Sequence, residues 1–142
     1  MEYNRLEQTY VVRLDPGEEI LDALSDLCRR ERIGLASVTG LGAVGEAVLG
    51  VFDTEAKRYD SKEYQGHYEI ASLMGTVTQK DGNPYLHLHA VIGNPVTGEC
   101  HGGHLNRGLI SATGELMVTV VNGRVERRMD ETVGLNLMEF EK

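Results

Sequence analysis

The sequence predicts an α+β fold in which one amphipathic helix near the amino terminus packs on a mostly antiparallel β-sheet. Two observations carry this prediction. One segment repeats apolar residues at helical spacing, and the rest of the chain consists of short runs rich in valine, leucine and tyrosine between glycines. A helix that covers an antiparallel sheet is an α+β arrangement. The length of 142 residues suits one domain, and we expect residues 1–142 to form it.

The first predicted elements are a strand at residues 9–14 and the helix that follows it. Asp15 is the predicted N-cap, Pro16 takes the first helical position, and Glu18 completes a capping box. The helix is expected to end before Gly34. Its apolar stripe, which we expect to be buried, consists of Ile20, Leu24, Leu27 and Cys28.

Six further runs have the composition of strands. They cover residues 35–39, 46–52, 68–77, 85–92, 116–121 and 125–128. Short turn signals such as Asn122-Gly123 separate them, so neighbouring strands are expected to be antiparallel. The tail from residue 130 to 142 carries apolar residues that pack either on this domain or on a neighbouring subunit.

Charge and cysteine content restrict the partners and the compartment. There are 22 acidic and 14 basic residues, and the formal net charge of -8 repels polyanions such as nucleic acid and anionic lipid. Two cysteines build no disulfide framework, and the first residues lack the pattern of a signal peptide. We therefore expect a cytoplasmic protein with reduced thiols. No apolar run approaches the ~18–20 residues of a membrane span.

The histidines supply the main candidate site. Four of the five lie close together in the sequence, at His87, His89, His101 and His104. Side chains alternate along a strand, so His87 and His89 point to one face. If the next hairpin pairs Gly93 with Cys100, His89 lies directly opposite His104 and shares its face. Three imidazoles then converge on one point.

This arrangement suits a metal ion. Three neutral imidazoles are good ligands for zinc or another divalent ion of similar preference, and they leave one position open for water or substrate. His101 has the wrong parity for this face unless the adjacent glycines bulge the strand. Cys100 is an alternative fourth ligand. The competing interpretation is that His87 and His89 are ordinary strand residues that make hydrogen bonds.

Two carboxylates are candidates for supporting roles. Glu69 shares a strand face with His67, and it is a candidate catalytic base toward a metal-bound water or an orienting partner of a ligand histidine. A solvated glutamate on the outer face fits the local pattern equally well. Glu115 allows the same two interpretations.

Several motifs together resemble the plant-and-prokaryote-conserved (PPC) domain, over about residues 11–137. In chain order they are Arg13-Leu14-Asp15-Pro16-Gly17-Glu18, Thr39-Gly40-Leu41-Gly42-Ala43, Gly66-His67-Tyr68-Glu69-Ile70, His87-Leu88-His89-Ala90 and Gly102-Gly103-His104-Leu105. The second motif resembles a glycine turn of the family. The chain departs from the family pattern at His67, where arginine is usual, and at Gly114, where alanine is usual.

The resemblance implies an α+β fold, a homotrimer and a metal, usually zinc, on His87, His89 and His104. It also brings a DNA-binding label, which comes from plant members that contact DNA through an AT-hook. This chain contains no AT-hook segment, and its densest basic cluster, residues 124–128, includes Glu126. Direct DNA binding therefore conflicts with the charge of the chain.

Two other functions compete with DNA binding. One is a metal-dependent enzyme that hydrolyses or hydrates a small molecule, with the zinc-bound water as the reactive group. The other is a trimeric scaffold that binds a small ligand or a partner protein, with the metal stiffening the hairpin. An open coordination position that faces a cleft favours the enzyme, and closed coordination by four protein ligands favours the scaffold.

Overall fold

The computed structural model describes residues 1–140, and most of them belong to one β-sheet. Strands hold 69% of the residues and helix holds 8%. The elements are β1 Glu2–Leu6, β2 Thr9–Leu14, α1 Ile20–Arg30, β3 Ala36–Asp53, β4 Arg58–Lys80, β5 Asn83–Asn94, β6 Glu99–Val120, β7 Glu126–Asp130 and β8 Leu135–Glu139. The predicted α+β class is therefore wrong, because the fold is mainly β with one short helix.

Glycines that bend strands without reversing the chain account for this error. The segment at residues 39–43, which resembles a glycine turn in sequence, lies inside β3. It joins the runs 35–39 and 46–52, which the sequence predicts as separate strands. Gly42 has a φ of 150°, and a Cβ atom there would overlap the carbonyl oxygen of Thr113 on β6. The pairing register with β4 shifts between Gly40 and Gly42, and the register with β6 shifts between Gly42 and Val44, as in a β-bulge. Long bent strands therefore replace the short ones.

The helix is shorter than predicted, although its buried face is as predicted. Glu18 accepts a hydrogen bond from the Asp15 backbone N–H at 2.8 Å, as a capping box requires, but this contact closes a turn before the helix. Glu19 is the actual N-cap, since its carboxylate accepts from the Asp22 backbone N–H. The predicted stripe is buried: Ile20, Leu24, Leu27 and Cys28. Burial raises the pKa of the Cys28 thiol to about 11, so this thiol is structural.

Four strands of the sheet, β3, β4, β5 and β6, close into a ring. The strand order is β1-β2-β6-β3-β4-β7-β8, and the ring closes because β5 pairs with both β4 and β6. Neighbouring strands are antiparallel as predicted, except for one parallel contact between Gln79 on β4 and Glu126 on β7.

The tail forms β8 in a hairpin with β7, while Phe140 is exposed and residues 141 and 142 lie outside the described residues. Within residues 1–140, no helix has the length and apolarity that crossing a bilayer requires.

The hairpin of β5 and β6 has the register that the sequence predicts. Gly93 lies opposite Cys100, and His89 lies opposite His104. The alternate residues of β5, namely Leu88, Ala90 and Ile92, are buried in the core. His87 and His89 therefore occupy the outer face of the sheet, because side-chain direction alternates along the strand.

One glycine lets β4 approach β5 closely beside the histidines. A Cβ atom at Gly75 would overlap the His87 carbonyl oxygen and lie 2.7 Å from the Leu88 Cα atom. Both obstacles are backbone atoms, so the strand itself would have to move.

We expect Gly75→Ala to lower the free energy of unfolding by about 1–3 kcal/mol, the usual cost of overpacking. Urea denaturation would measure the change. Gly102→Ala on β6 is the matched control, because its added Cβ meets only ordinary contacts, the nearest at 3.4 Å. Equal stability of the two variants would contradict this account of Gly75.

Candidate metal centre

Three histidine side chains converge on the outer face of the hairpin. His87 Nε2 lies 3.1 Å from His104 Nδ1 and 3.3 Å from His89 Nε2. One nitrogen from each ring lies within 4.8 Å of the other two. Zinc–nitrogen bonds of about 2.0–2.1 Å at tetrahedral angles separate ligand nitrogens by about 3.3 Å. The two separations from His87 Nε2 therefore match those expected around a single zinc-sized ion.

The neighbouring strands hold the rings in place. Thr76 and Met74 of β4 lie opposite His87 and His89, so the pairs share the outer face. Gly50 of β3 lies opposite His104 and leaves room for the Tyr59 ring, which a Cβ at Gly50 would overlap. The rings of Tyr59 and His104 are 6.1 Å apart. Strands β4 and β3 thus flank the hairpin that carries the three histidines.

The electrostatics keep two imidazoles in the form that binds metal. Burial lowers the pKa of His87, and the charges of His104, Arg127 and His89 lower it further. Burial also lowers the pKa of His104, with a further contribution from His89. Both rings therefore favour the neutral state near pH 7, and a neutral imidazole is the ligating state.

The other residues of the hairpin lie outside the cluster. His101 is opposite the buried Ile92 and stacks on Tyr64, with ring centroids 4.2 Å apart. Its position agrees with the parity argument. Cys100 is exposed, and the three-histidine group contains no cysteine among residues 1–140.

Within a single chain, the two candidate carboxylates, Glu69 and Glu115, also lie away from the three histidines. Glu69 is exposed and lies opposite Gly93, four residues along β5 from His89 and so about 13 Å away. Its partner in the sequence argument, His67, is exposed as well. Glu115 lies opposite Arg13 on β2. The catalytic role of Glu69 stays a prediction.

A cavity that the sequence does not predict lies beside the histidines. It has a volume of about 210 Å³ and is lined by His87, His104, Tyr59, Asn106 and Arg127 among others. Arg127 belongs to the basic cluster that the sequence assigned to a solvated strand end. No local pattern indicates this cavity, since β4, β5, β6, β7 and β8 all contribute to it.

The bent sheet and the three converging histidines define a class of small β proteins with a candidate three-histidine metal site on one hairpin. The chain belongs to the Plants and Prokaryotes Conserved domain family, whose model matches residues 1–122. This confirms the family that the sequence motifs resemble. None of the curated proteins matches the sequence.

Three solved structures are similar over nearly the whole chain. A "putative DNA binding protein" from Bacteroides thetaiotaomicron has 31% identity and a TM-score of 0.94, with 99% of this chain and 98% of that chain covered. A metal-containing protein from Archaeoglobus fulgidus has 32% identity and a TM-score of 0.87, with 98% and 97% covered. A plant- and prokaryote-conserved protein from Pyrococcus horikoshii has 33% identity and a TM-score of 0.84, with 99% and 95% covered.

Proposed function

We propose that this protein binds one zinc or similar divalent ion on His87, His89 and His104. The observation that carries the proposal is the spacing of the three nitrogens. His87 Nε2 contacts both other rings, and a neutral imidazole nitrogen either donates one hydrogen bond or accepts one. Hydrogen bonding alone therefore satisfies one of the two contacts of His87 Nε2 well. A metal ion shared by the three rings provides a partner for all three nitrogens. The metal-containing relative from Archaeoglobus fulgidus supports the proposal.

The donor set favours an open site for a small molecule. Among residues 1–140 the group contains three protein ligands, the number typical of catalytic zinc sites, and the adjacent cavity gives access to it. When bound, the ion supplies a Lewis acid and a water of lowered pKa, which suits hydrolysis or hydration. Metal-dependent chemistry on a small ligand is therefore our preferred function over a closed structural site. We place it in the cytoplasm, where both cysteines stay reduced.

We also propose that the protein is a homotrimer and that the outer face of the sheet is its interface. A continuous cross-strand row runs from Val11 through Met117, Thr39 and Met74 to His89. Met74 is 57% exposed and Met117 is 47% exposed. Several exposed apolar side chains on one face are typical of an interaction surface.

DNA is not the ligand that we propose, although relatives carry that name. Arg124 pairs with Glu126, and Arg128 pairs with Glu139. Arg127 points inward and is half-buried beside the cavity. The basic cluster therefore offers few free cations to a phosphate backbone, and the net charge of -8 opposes the approach of DNA.

For the metal site, we expect His89→Ala combined with His104→Ala to abolish stoichiometric zinc, because one remaining imidazole holds the ion weakly. Elemental analysis of the purified protein measures the metal, and circular dichroism verifies the fold. His101→Ala is the matched control and should keep full zinc, because His101 lies on the other face. Full zinc content in the folded double variant would refute the assignment.

For the assembly, we expect light scattering to give the mass of three 15.7 kDa chains. Met117→Glu places a charge in the proposed interface and should shift the protein to monomers. Val96→Glu is the control, since Val96 is 93% exposed in the turn between β5 and β6 and should leave the mass unchanged. A monomeric unmodified protein would show that the interface is wrong.

For DNA, we expect no binding to random duplex at 0.15 M salt in a fluorescence anisotropy titration. Non-specific DNA-binding proteins typically show dissociation constants of ~10⁻⁴–10⁻⁶ M under such conditions. A salt-dependent rise in anisotropy at micromolar protein would show that a cationic surface exists in the assembled protein after all.

A further inference from the structure

The cavity beside the histidines is closed on one side by the hairpin of β7 and β8. His87 and His104 line one wall, and Arg127 of β7 lines another. Tyr59 and Asn106 add polar groups, with the Tyr59 hydroxyl donating to Asn106 Oδ1 at 2.9 Å. The cavity thus joins the ligand histidines to one cationic side chain.

Arg127 is held in a fixed position. Its Nε donates to Thr78 Oγ1 and its Nη1 donates to the Asn136 carbonyl oxygen, both at 2.8 Å. The guanidinium lies over the Tyr85 ring at 4.8 Å. A guanidinium carries five N–H donors, and among residues 1–140 its Nη2 group makes no hydrogen bond. Donors therefore remain for a ligand.

The positive charge of Arg127 is uncompensated within the described chain. Arg124 and Arg128 on the same hairpin form ion pairs, but no carboxylate of residues 1–140 pairs with Arg127. Burial lowers the pKa of its guanidinium, and its charge contributes, after burial and His104, to the lowered pKa of His87. A half-buried cation beside neutral imidazoles, and beside a divalent ion when one binds, attracts an anion.

The size and lining of the cavity select the kind of anion. A volume of about 210 Å³ corresponds to about seven water molecules in the liquid. The partly exposed side chains of Leu86, Leu135 and Leu137 line it together with the polar groups. A ligand with a small carbon skeleton and one charged end suits these walls better than an inorganic anion.

We propose that this cavity binds a small organic carboxylate, which Arg127 holds next to the metal ion. This inference rests on the proposed metal site, and it names the class of ligand that the open position receives. Guanidinium donors match the two oxygens of a carboxylate, and the carbon end packs against the leucines.

Acetate binding to the cobalt(II)-substituted protein tests the proposal. Visible absorption follows the coordination of cobalt, and elemental analysis gives the cobalt content of each variant. We expect acetate to perturb the spectrum of the unmodified protein, and Arg127→Gln to weaken acetate binding at least about tenfold with the cobalt content unchanged. Arg124→Gln is the matched control and should bind acetate as the unmodified protein does, because Arg124 pairs with Glu126 on the same hairpin.

Three outcomes separate the proposals. Equal acetate affinity of Arg127→Gln and the unmodified protein, or no response of the unmodified protein to acetate, would overturn the carboxylate site while cobalt binding upholds the metal site. A protein that takes up no cobalt refutes the metal site, and acetate-induced NMR shifts that depend on Arg127 then decide the carboxylate site separately. If Arg127→Gln fails to fold, Arg127→Lys retains the charge but loses the paired donors, and it should still weaken acetate binding.

Discussion

The pairing of His89 with His104 across the hairpin of β5 and β6 is the constraint on which the candidate site depends. Side chains alternate along a strand, so a slip of one residue would turn one of the two histidines toward the core. Burial of Leu88, Ala90 and Ile92 on the opposite face opposes that slip, because it would expose all three. The apolar core therefore fixes the position of the polar groups on the opposite face of the strand.

Closure of the four-strand ring strengthens this constraint. His104 pairs with His89 on one side and with Gly50 of β3 on the other, so β6 is held along both edges at the site. Gly75 lets the backbone of β4 lie close to β5, and Gly50 leaves room for the ring of Tyr59 on β4. Strand β4 therefore also reaches the site. A site on a strand that is paired along both edges is held more firmly than a site on a loop. The histidine nitrogens can therefore keep the spacing that an ion requires before the ion binds.

The parts that could be predicted from the sequence are those that local geometry determines. The hairpin follows from a short turn and the alternation of side chains, so Gly93, Cys100 and the three histidines could be placed correctly. The fold class could not be placed, because a glycine that bends a strand, such as Gly42, looks the same in sequence as one that reverses the chain. Arg127 was missed for a different reason. Its surroundings come from segments far apart in the chain, including Thr78 and Asn136.

The charge of the protein acts differently at long and at short range. At 0.15 M ionic strength the Debye length is about 8 Å, so the net charge of -8 governs the approach of a large polyanion more than events inside a cavity. DNA requires many cations spread over a surface, whereas a small carboxylate requires one guanidinium within hydrogen-bond reach. Arg127 meets the second requirement, because it is half-buried in a cavity whose lining, among residues 1–140, includes no carboxylate. An acidic protein can therefore still offer a cationic pocket to a small anion.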